Sequence, residues 1–433
     1  MSASAKDATP DRRATIFANA AQVVSCRGPG RARRGDEMGD AGIRTGVAVA
    51  VDHGRIAAIE PLLDLRSRYP RATEVDCRGG VLTPGLVDSH THGVFGRPRF
   101  DEPELRAAGL DYMEIARRGG GIHSSVRDLR SRSEDDLFTL AMERLARLMA
   151  HGTTTIEVKS GYGLTLEDEL KTLRVIERLR RALPVRIVPT FLGAHEIPLE
   201  HRGSAADRRR YVEILIHEMI PAVASQGLAK FADVFCETGV YTVDESREIL
   251  AAARRAGLMI KLHADELTSS GGAELAAELG AVSADHLAAV SDGGVDALAQ
   301  GPTVATLLPG TMLFLGKTRH APARQLIEKG VPVALATDFN PGTSPTPNLP
   351  LVLTLGVSQL RLSAAEVIVA GTVNGAAALA MADQIGQIEP GYLADLALFD
   401  VPDLRAVPYW YGDNRCFATF VAGNPCHLKQ LGH

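Results

Sequence analysis

The sequence predicts an α/β protein: a closed (β/α)8 TIM-like barrel with a small β-sandwich domain built from both chain ends. Three observations lead there. From Leu86 onward, about eight short apolar stretches alternate with helical ones over roughly 300 residues. Before and after that region lie short strand-like stretches, too few at either end to bury a core alone. Several of the apolar stretches end abruptly in a histidine or a carboxylate, and strand ends are where barrels carry chemistry. A doubly wound open sheet is the runner-up, because it shares the same alternation.

Composition narrows the class. The 433 residues are 45% hydrophobic and 23% charged, the balance of a soluble globular protein. No apolar run reaches the ~18 residues of a membrane span. Residues 1–13 are polar and mixed in charge and lack the apolar centre of a secretory signal, so no export is expected. A net charge of −5 argues against nucleic acid as the partner. Cys26, Cys77, Cys236, Cys416 and Cys426 are scattered, with no C-x-x-C. That pattern suits thiols acting as small core residues in a reducing, cytoplasmic compartment.

In chain order, residues 1–15 form a tail expected to be disordered. Residues 16–24 read as a strand, and the Gly- and Arg-rich stretch 27–41 as an exposed loop. Strands at 45–51 and 55–59 flank the hairpin signal Asp52-His53-Gly54, and 75–77 adds a further strand. Pro84-Gly85 marks a break. The barrel is then expected over 84–385. Its helices begin within 101–150, and a buried strand follows at 153–158. A helix over 165–181 has Thr165 as its cap, Asp168 in the capping-box position, and Leu166, Leu170, Leu173 and Ile176 on one face. Strands at 185–191, 231–236, 259–263, 281–285, 303–307 and 331–337 follow, separated by helical sequence. Apolar strands within 385–399 and at 417–421 then complete the β domain, composed of 16–83 and 386–433, with the barrel inserted between its halves.

The first barrel strand runs into Ser89-His90-Thr91-His92. Strand side chains alternate, so His90 and His92 point to one side and make a pair of ligands for a transition metal. Among 13 histidines one such pair could arise by chance. Later strand ends speak against chance: Lys159, His195-Glu196, His263-Ala264-Asp265-Glu266, Asp285-His286, and Asp338 to Thr343. A lone strand-end histidine is commonly a hydrogen-bonded structural residue. Six such endings on one rim are costly to bury without partners. The simplest metal site takes His90, His92, His263 and Asp338, and three imidazoles with one carboxylate suit zinc or iron. Asp338 could also take a proton from water, Glu266 could shuttle it, and His286 could polarise a carbonyl or hold the water. Asp338 and His286 remain exchangeable as general base. A second metal needs a bridging group, often a modified lysine. Lys159 has no counterpart after the fourth strand, so one ion is expected.

These residues resemble the amidohydrolase superfamily, which shares the H-x-H after Pro-Gly, the later His and Asp, and the closing motif Gly386 to Asp395. His263-x-x-Glu266 with His286 is similar to its single-metal branch, which includes cytosine and adenosine deaminases. A closer resemblance is to the imidazolonepropionase family. It is carried by Phe95-Gly96-Arg97-Pro98-Arg99, Tyr112 to Ile122, Glu157 to Leu164, Phe191 to His195, and Thr337 to Gly342. It covers about residues 16 to 425 and implies hydrolysis of 4-imidazolone-5-propanoate to N-formimidoyl-L-glutamate with Zn2+ or Fe3+, by a cytoplasmic homodimer. By motif position it also implies substrate contacts from Arg99, Tyr162, His195, His263, Glu266 and His286, with Asn340, Gly342 and Thr343 on the product side. Catalytic roles would fall to Asp338, Glu266 and His286. A propionate-bearing substrate needs a fixed cation, and Arg99 offers a bidentate fork. The sequence departs from the family at His123-Ser124-Ser125 and in the longer, Arg-rich 27–41 stretch. Two rival readings are an aminohydrolase acting on a purine or pyrimidine, and a catalytically silent scaffold. The first would not need Arg99, and the second would have lost ligands that this chain keeps.

Overall fold

The structure, a computed structural model, describes residues 14–110, 114–115 and 118–429. The disordered tail expected over 1–15 therefore falls almost wholly outside the described residues, as do Tyr112, Ala116 and Arg117 of the 112–122 motif.

The chain opens with seven short strands: β1 (Thr15–Ala18), β2 (Gln22–Val24), β3 (Ile43–Arg44), β4 (Ala48–Asp52), β5 (Arg55–Glu60), β6 (Thr73–Asp76) and β7 (Val81–Pro84). The barrel strands are β8 (Leu86–Asp88), β9 (Thr153–Lys159), β10 (Arg186–Ala194), β11 (Phe231–Cys236), β12 (Met259–Ala264), β13 (Ser283–His286), β14 (Val304–Leu307) and β15 (Val333–Leu335). The chain closes with β16 (Leu396–Phe399), β17 (Cys416–Val421) and β18 (Asn424–Leu428). One sheet has the order β5-β4-β1-β6, and a second, β18-β17-β16-β7-β2-β3, mixes strands from both chain ends. Their facing sides bury Phe17, Val49, Leu82, Leu396 and Phe420 together, and the Phe17 and Phe420 rings meet edge-on at 4.8 Å. His53 and Gly54 both lie at positive φ, as a two-residue turn joining β4 to β5 requires.

One expectation at the N-terminal end needs correction and another needs refinement. Residues 16–24 are not one strand. Asn19 adopts φ 59°, which breaks the run and sends β1 and β2 into different sheets. The 27–41 stretch is exposed over much of its length, as expected, but it is pinned at points the sequence does not mark. It holds a 3-10 turn (Gly35–Gly39), and both Met38 and Arg33 are buried. The Arg33 guanidinium donates to the carbonyls of Cys26 and Pro29, and its backbone N–H donates to Asn374 Oδ1 at 2.7 Å, which straps the segment onto the barrel.

Strands β8 to β15 pair in sequence order, every neighbour parallel, with helical sequence between them. The 165–181 expectation becomes a helix over Leu166–Ala182, and Thr165 Oγ1 accepts from the Asp168 N–H. The Asp168 carboxylate takes the Thr165 hydroxyl rather than its backbone N–H, so the reciprocal half of the capping box is not made. The chain passes from β7 to β8 through Gly85 alone. A Cβ there would lie 2.1 Å from Thr154 Oγ1, so only glycine fits.

The seam between β8 and β15 is closed at its outer end. Asp88 Oδ1 and Oδ2 accept the Thr337 N–H at 3.0 Å and the Thr337 hydroxyl at 2.6 Å. Beyond them, Asp338 N–H donates to His90 O and His92 N–H to Phe339 O. Side chains thus close the barrel where its mouth begins. No helix among the described residues is long and apolar enough to cross a membrane. Asp88→Ala would strand a buried N–H and a buried hydroxyl at about 1–3 kcal/mol each. A lower denaturant midpoint is therefore expected for that variant, and an unchanged midpoint would show that the seam closes without Asp88.

Candidate active site

The sequence places His90 and His92 just past the end of β8, with Thr91 between them bonded back to Glu157 O. Their Nε2 atoms face each other at 3.3 Å. Asp338, from the loop after β15, brings Oδ1 to 3.6 Å from His90 Nε2 and 3.5 Å from His92 Nε2. Its Oδ2 accepts the Thr311 hydroxyl at 2.6 Å, which leaves Oδ1 turned to the imidazoles. The His263 ring lies 4.4 Å from that of His90 and 5.5 Å from that of His92.

Three triads of possible donors overlap here: His90, His92 and Asp338; His90, His263 and His286; and His92, His195 and His263. Among the described residues no group contains both Asp338 and His263, so the expected four-ligand set is brought together only through the shared His90 and His92. Both nitrogens of the buried His263 ring lack a hydrogen bond: Nδ1 lies 2.9 Å from Asp233 Oδ2 outside hydrogen-bond geometry, and Nε2 is open to a cation. The other two imidazoles differ. His195 Nδ1 sits 3.0 Å from Gly161 O, and His286 Nε2 lies 3.6 Å from Glu266 Oε2.

Electrostatics suit a metal. Burial drives His90, His92 and His286 far below the usual imidazole range, helped by Lys159 and the neighbouring rings. Burial likewise brings His195 down to about 3. All four are therefore neutral, the form that binds metal. Burial pushes Asp338 up to about 6. Glu266 rises well above the carboxylate range, first by burial and then by Asp338 and Glu237.

Several mouth residues adopt left-handed backbone: Asp265 at φ 50°, His286 at φ 80°, Leu287 at φ 59° and Asp338 at φ 51°. Such conformations cost energy and collect at functional sites. Asp265 accepts the N–H groups of Ser270, Gly271, Gly272 and Ala273, so it shapes its loop instead of facing the histidines. Asn340 does the same. Its Nδ2 donates to Asp338 O and Thr343 Oγ1, and its Oδ1 accepts from Gly342 and Thr343. That carboxamide is engaged within its own loop.

Arg99, expected as the fork for a carboxylate, already has protein partners. Its Nε lies 3.1 Å from Glu102 Oε1 and its Nη1 3.3 Å from Ser125 Oγ. A guanidinium buried this deeply needs a counter-charge. Ser125 belongs to the stretch where the sequence departs from the family, so that departure does reach Arg99. The guanidinium packs over Gly342, where an added Cβ would fall 1.6 Å from Nη2. Beside it opens a cavity of about 460 Å³ lined by Arg97, Arg99, Glu102, Arg118 and Arg127. The buried Tyr162 ring stands 5.9 Å from that of His92 and 5.3 Å from that of His195.

Sequence reasoning takes Asp285 as a strand end, Lys159 as a strand end and a candidate bridge to a second metal, and Glu157 only as part of a motif, and it passes over Asp233 and Lys261. All five are fully or almost fully buried beneath the histidines. His90 Nδ1 lies 2.7 Å from Asp285 Oδ2, and His263 Nδ1 lies 2.9 Å from Asp233 Oδ2. Burial opposes charge on Lys159, but Asp233, Glu157 and Asp285 outweigh it and raise its pKa. The available signal was a charged residue two places before another charged or polar one on the same strand face: Glu157 with Lys159, and Lys261 with His263. Lys159 is committed to these carboxylates and so is poorly placed to bridge two metals. Elemental analysis of the purified protein is expected to find one equivalent of transition metal, and two equivalents would overturn that reading.

Comparison with known proteins adds the following. The model of the amidohydrolase family matches residues 81–426. The imidazolonepropionase of Geobacillus kaustophilus is 46% identical over 392 residues, covering 90% of this chain and 92% of the relative. That of Symbiobacterium thermophilum is 47% identical over 394 residues, covering 90% and 91%. Among solved structures, a zinc-bound adenosine deaminase from Xanthomonas campestris aligns with a TM-score of 0.70 at 19% identity, covering 95% of this chain and 92% of its own. E. coli guanine deaminase aligns with a TM-score of 0.72 at 16% identity, covering 96% and 99%. At those identities the deaminases share the fold alone.

Proposed function

This chain belongs to the imidazolonepropionases of the amidohydrolase family, hydrolases acting on the carbon–nitrogen bond of a cyclic amide, and we propose that His90, His92, His263 and Asp338 hold its metal. The reaction is hydrolysis of the ring amide of 4-imidazolone-5-propanoate to N-formimidoyl-L-glutamate. The observation carrying the ligand assignment is the meeting of the His90 and His92 Nε2 atoms, with Asp338 Oδ1 against both and an unpartnered His263 Nε2 beside them. Zinc or iron fits this donor set, and a bound ion would supply the Lewis acidity that activates a water and polarises the ring carbonyl at neutral pH.

The chain's own groups do the rest. Asp338 accepts the proton of the attacking water. Its Oδ1 faces the imidazoles, and its proton affinity is raised by burial, whereas that of His286 is lowered. This choice supports Asp338 over His286 as general base. Glu266, whose proton affinity burial raises, delivers a proton to the departing ring nitrogen. His286, 3.6 Å from Glu266, lies on the same side and is suited to hold the carbonyl oxygen. Tyr162 and His195 wall the pocket opposite. Gly342 lets the Arg99 guanidinium lie flat, and the N–H groups not turned to Glu102 and Ser125 receive the propionate. Asn340 and Thr343 keep that loop in shape. The reading extends to the cytoplasm, supported by five free thiols, to no nucleic-acid partner, supported by the net negative charge, to no membrane partner, and to the homodimer that the family resemblance implies.

Kinetics with imidazolonepropanoate test the site. Arg99→Ala removes at least one charged hydrogen bond to the carboxylate, worth about 1.5–3 kcal/mol, so KM is expected to rise at least about 10- to 100-fold. Unchanged kinetics would remove Arg99 from the pocket. Turnover of adenine, guanine or cytosine in preference would overturn the substrate itself.

A further inference from the structure

Barrel interiors are ordinarily filled by layers of branched apolar side chains. Below the histidines this one holds charge: the ammoniums of Lys159 and Lys261 face the carboxylates of Glu157, Asp233 and Asp285. Lys159 Nζ lies 2.8 Å from Glu157 Oε2, 2.8 Å from Asp233 Oδ2 and 3.8 Å from Asp285 Oδ2. The two aspartate oxygens are the same atoms that face the imidazoles, Asp233 Oδ2 toward His263 Nδ1 and Asp285 Oδ2 toward His90 Nδ1. One ammonium therefore links two imidazole–carboxylate pairs carried by different strands. Lys261 braces it from the side: its Nζ donates to Ser89 O at 2.7 Å and to Glu157 Oε1 at 3.0 Å, and lies 3.6 Å from Asp285 Oδ2.

An imidazole whose Nδ1–H donates to a carboxylate presents its Nε2 lone pair, and ring orientation then follows the carboxylate. We propose that Lys159 is a positioning residue for the metal centre: by pinning Asp233 and Asp285 it makes His263 and His90 present Nε2 to one point. The inference rests on the ligand assignment above.

The sign of one measurement separates this role from the alternatives. A buried positive charge beside a cation site opposes cation binding by Coulomb repulsion. Were Lys159 only a structural or a stray charge, Lys159→Met would leave zinc affinity unchanged or tighten it. A positioning lysine gives the opposite: removing outer-shell support loosens a metal site about 10- to 100-fold. The test is zinc affinity of the full-length protein, by competition with a chromophoric chelator, for wild type and Lys159→Met. A 10- to 100-fold loss is expected, and unchanged or tighter binding overturns the proposal. If that variant does not fold, Glu157→Gln/Lys159→Met, which removes one charge of each sign, is held to the same criterion. Independently of any variant, 15N shifts of zinc-free wild type are expected to report Nδ1–H tautomers for His90 and His263, and Nε2–H at either overturns the proposal. A wild type that binds no zinc would instead defeat the ligand assignment, so the two failures are distinguishable.

Discussion

Oδ2 of Asp285 sits 2.7 Å from Nδ1 of His90 where no solvent reaches, and much of the barrel mouth is arranged around that contact. A buried carboxylate is expensive, and so is a buried ammonium, unless each finds partners of good geometry. Here the carboxylates have lysines behind them and imidazoles in front. The polar column reaches Ser89 O through Lys261, and the Thr190 hydroxyl through Glu157 Oε1. Replacing such a network with apolar side chains commonly leaves stability unchanged or improves it. Its presence in a barrel otherwise rich in Val, Ile, Leu and Ala therefore points to the site it supports.

Above that column the loops follow a common rule. In each, one buried acceptor gathers backbone N–H groups that have no strand or helix partner. Glu169 takes those of Gly161, Gly163 and Leu164, around Tyr162. Glu237 takes that of Leu267, next to Glu266. Asp265 binds the start of the helix Gly272–Leu279, and Asn340 folds the loop bearing Gly342 and Thr343. The loops presenting the pocket are thus shaped before any substrate arrives, which lowers the cost of ordering them on binding.

The alternation of apolar and helical stretches made the barrel readable, because parallel strands buried on both faces leave an unmistakable pattern. His90, His92, His263 and Asp338 were readable for the same reason: each interrupts or ends an apolar run. What escaped were groups whose partners lie far away in the chain. Lys159 takes its meaning from Asp233 and Asp285, and Arg99 in part from Ser125. Asn340 and Asp265 stand out by position, and only the fold shows that their hydrogen bonds also shape their own loops. Arg33 was hidden in a run that composition alone marks as solvated, and only the fold brings the Cys26 and Pro29 carbonyls to its guanidinium. Strand periodicity shows where a side chain stands but not which distant group neutralises it.

The central claim is convergence: imidazoles from β8 and β12 and a carboxylate from beyond β15 hold one ion. Anomalous diffraction from crystals of the zinc-loaded protein, recorded on both sides of the zinc absorption edge, tests it most directly. A single peak within about 2.0–2.3 Å of His90, His92, His263 and Asp338 is the expected result. A peak elsewhere, or one bonded to the histidines with Asp338 well outside bonding range, would contradict it.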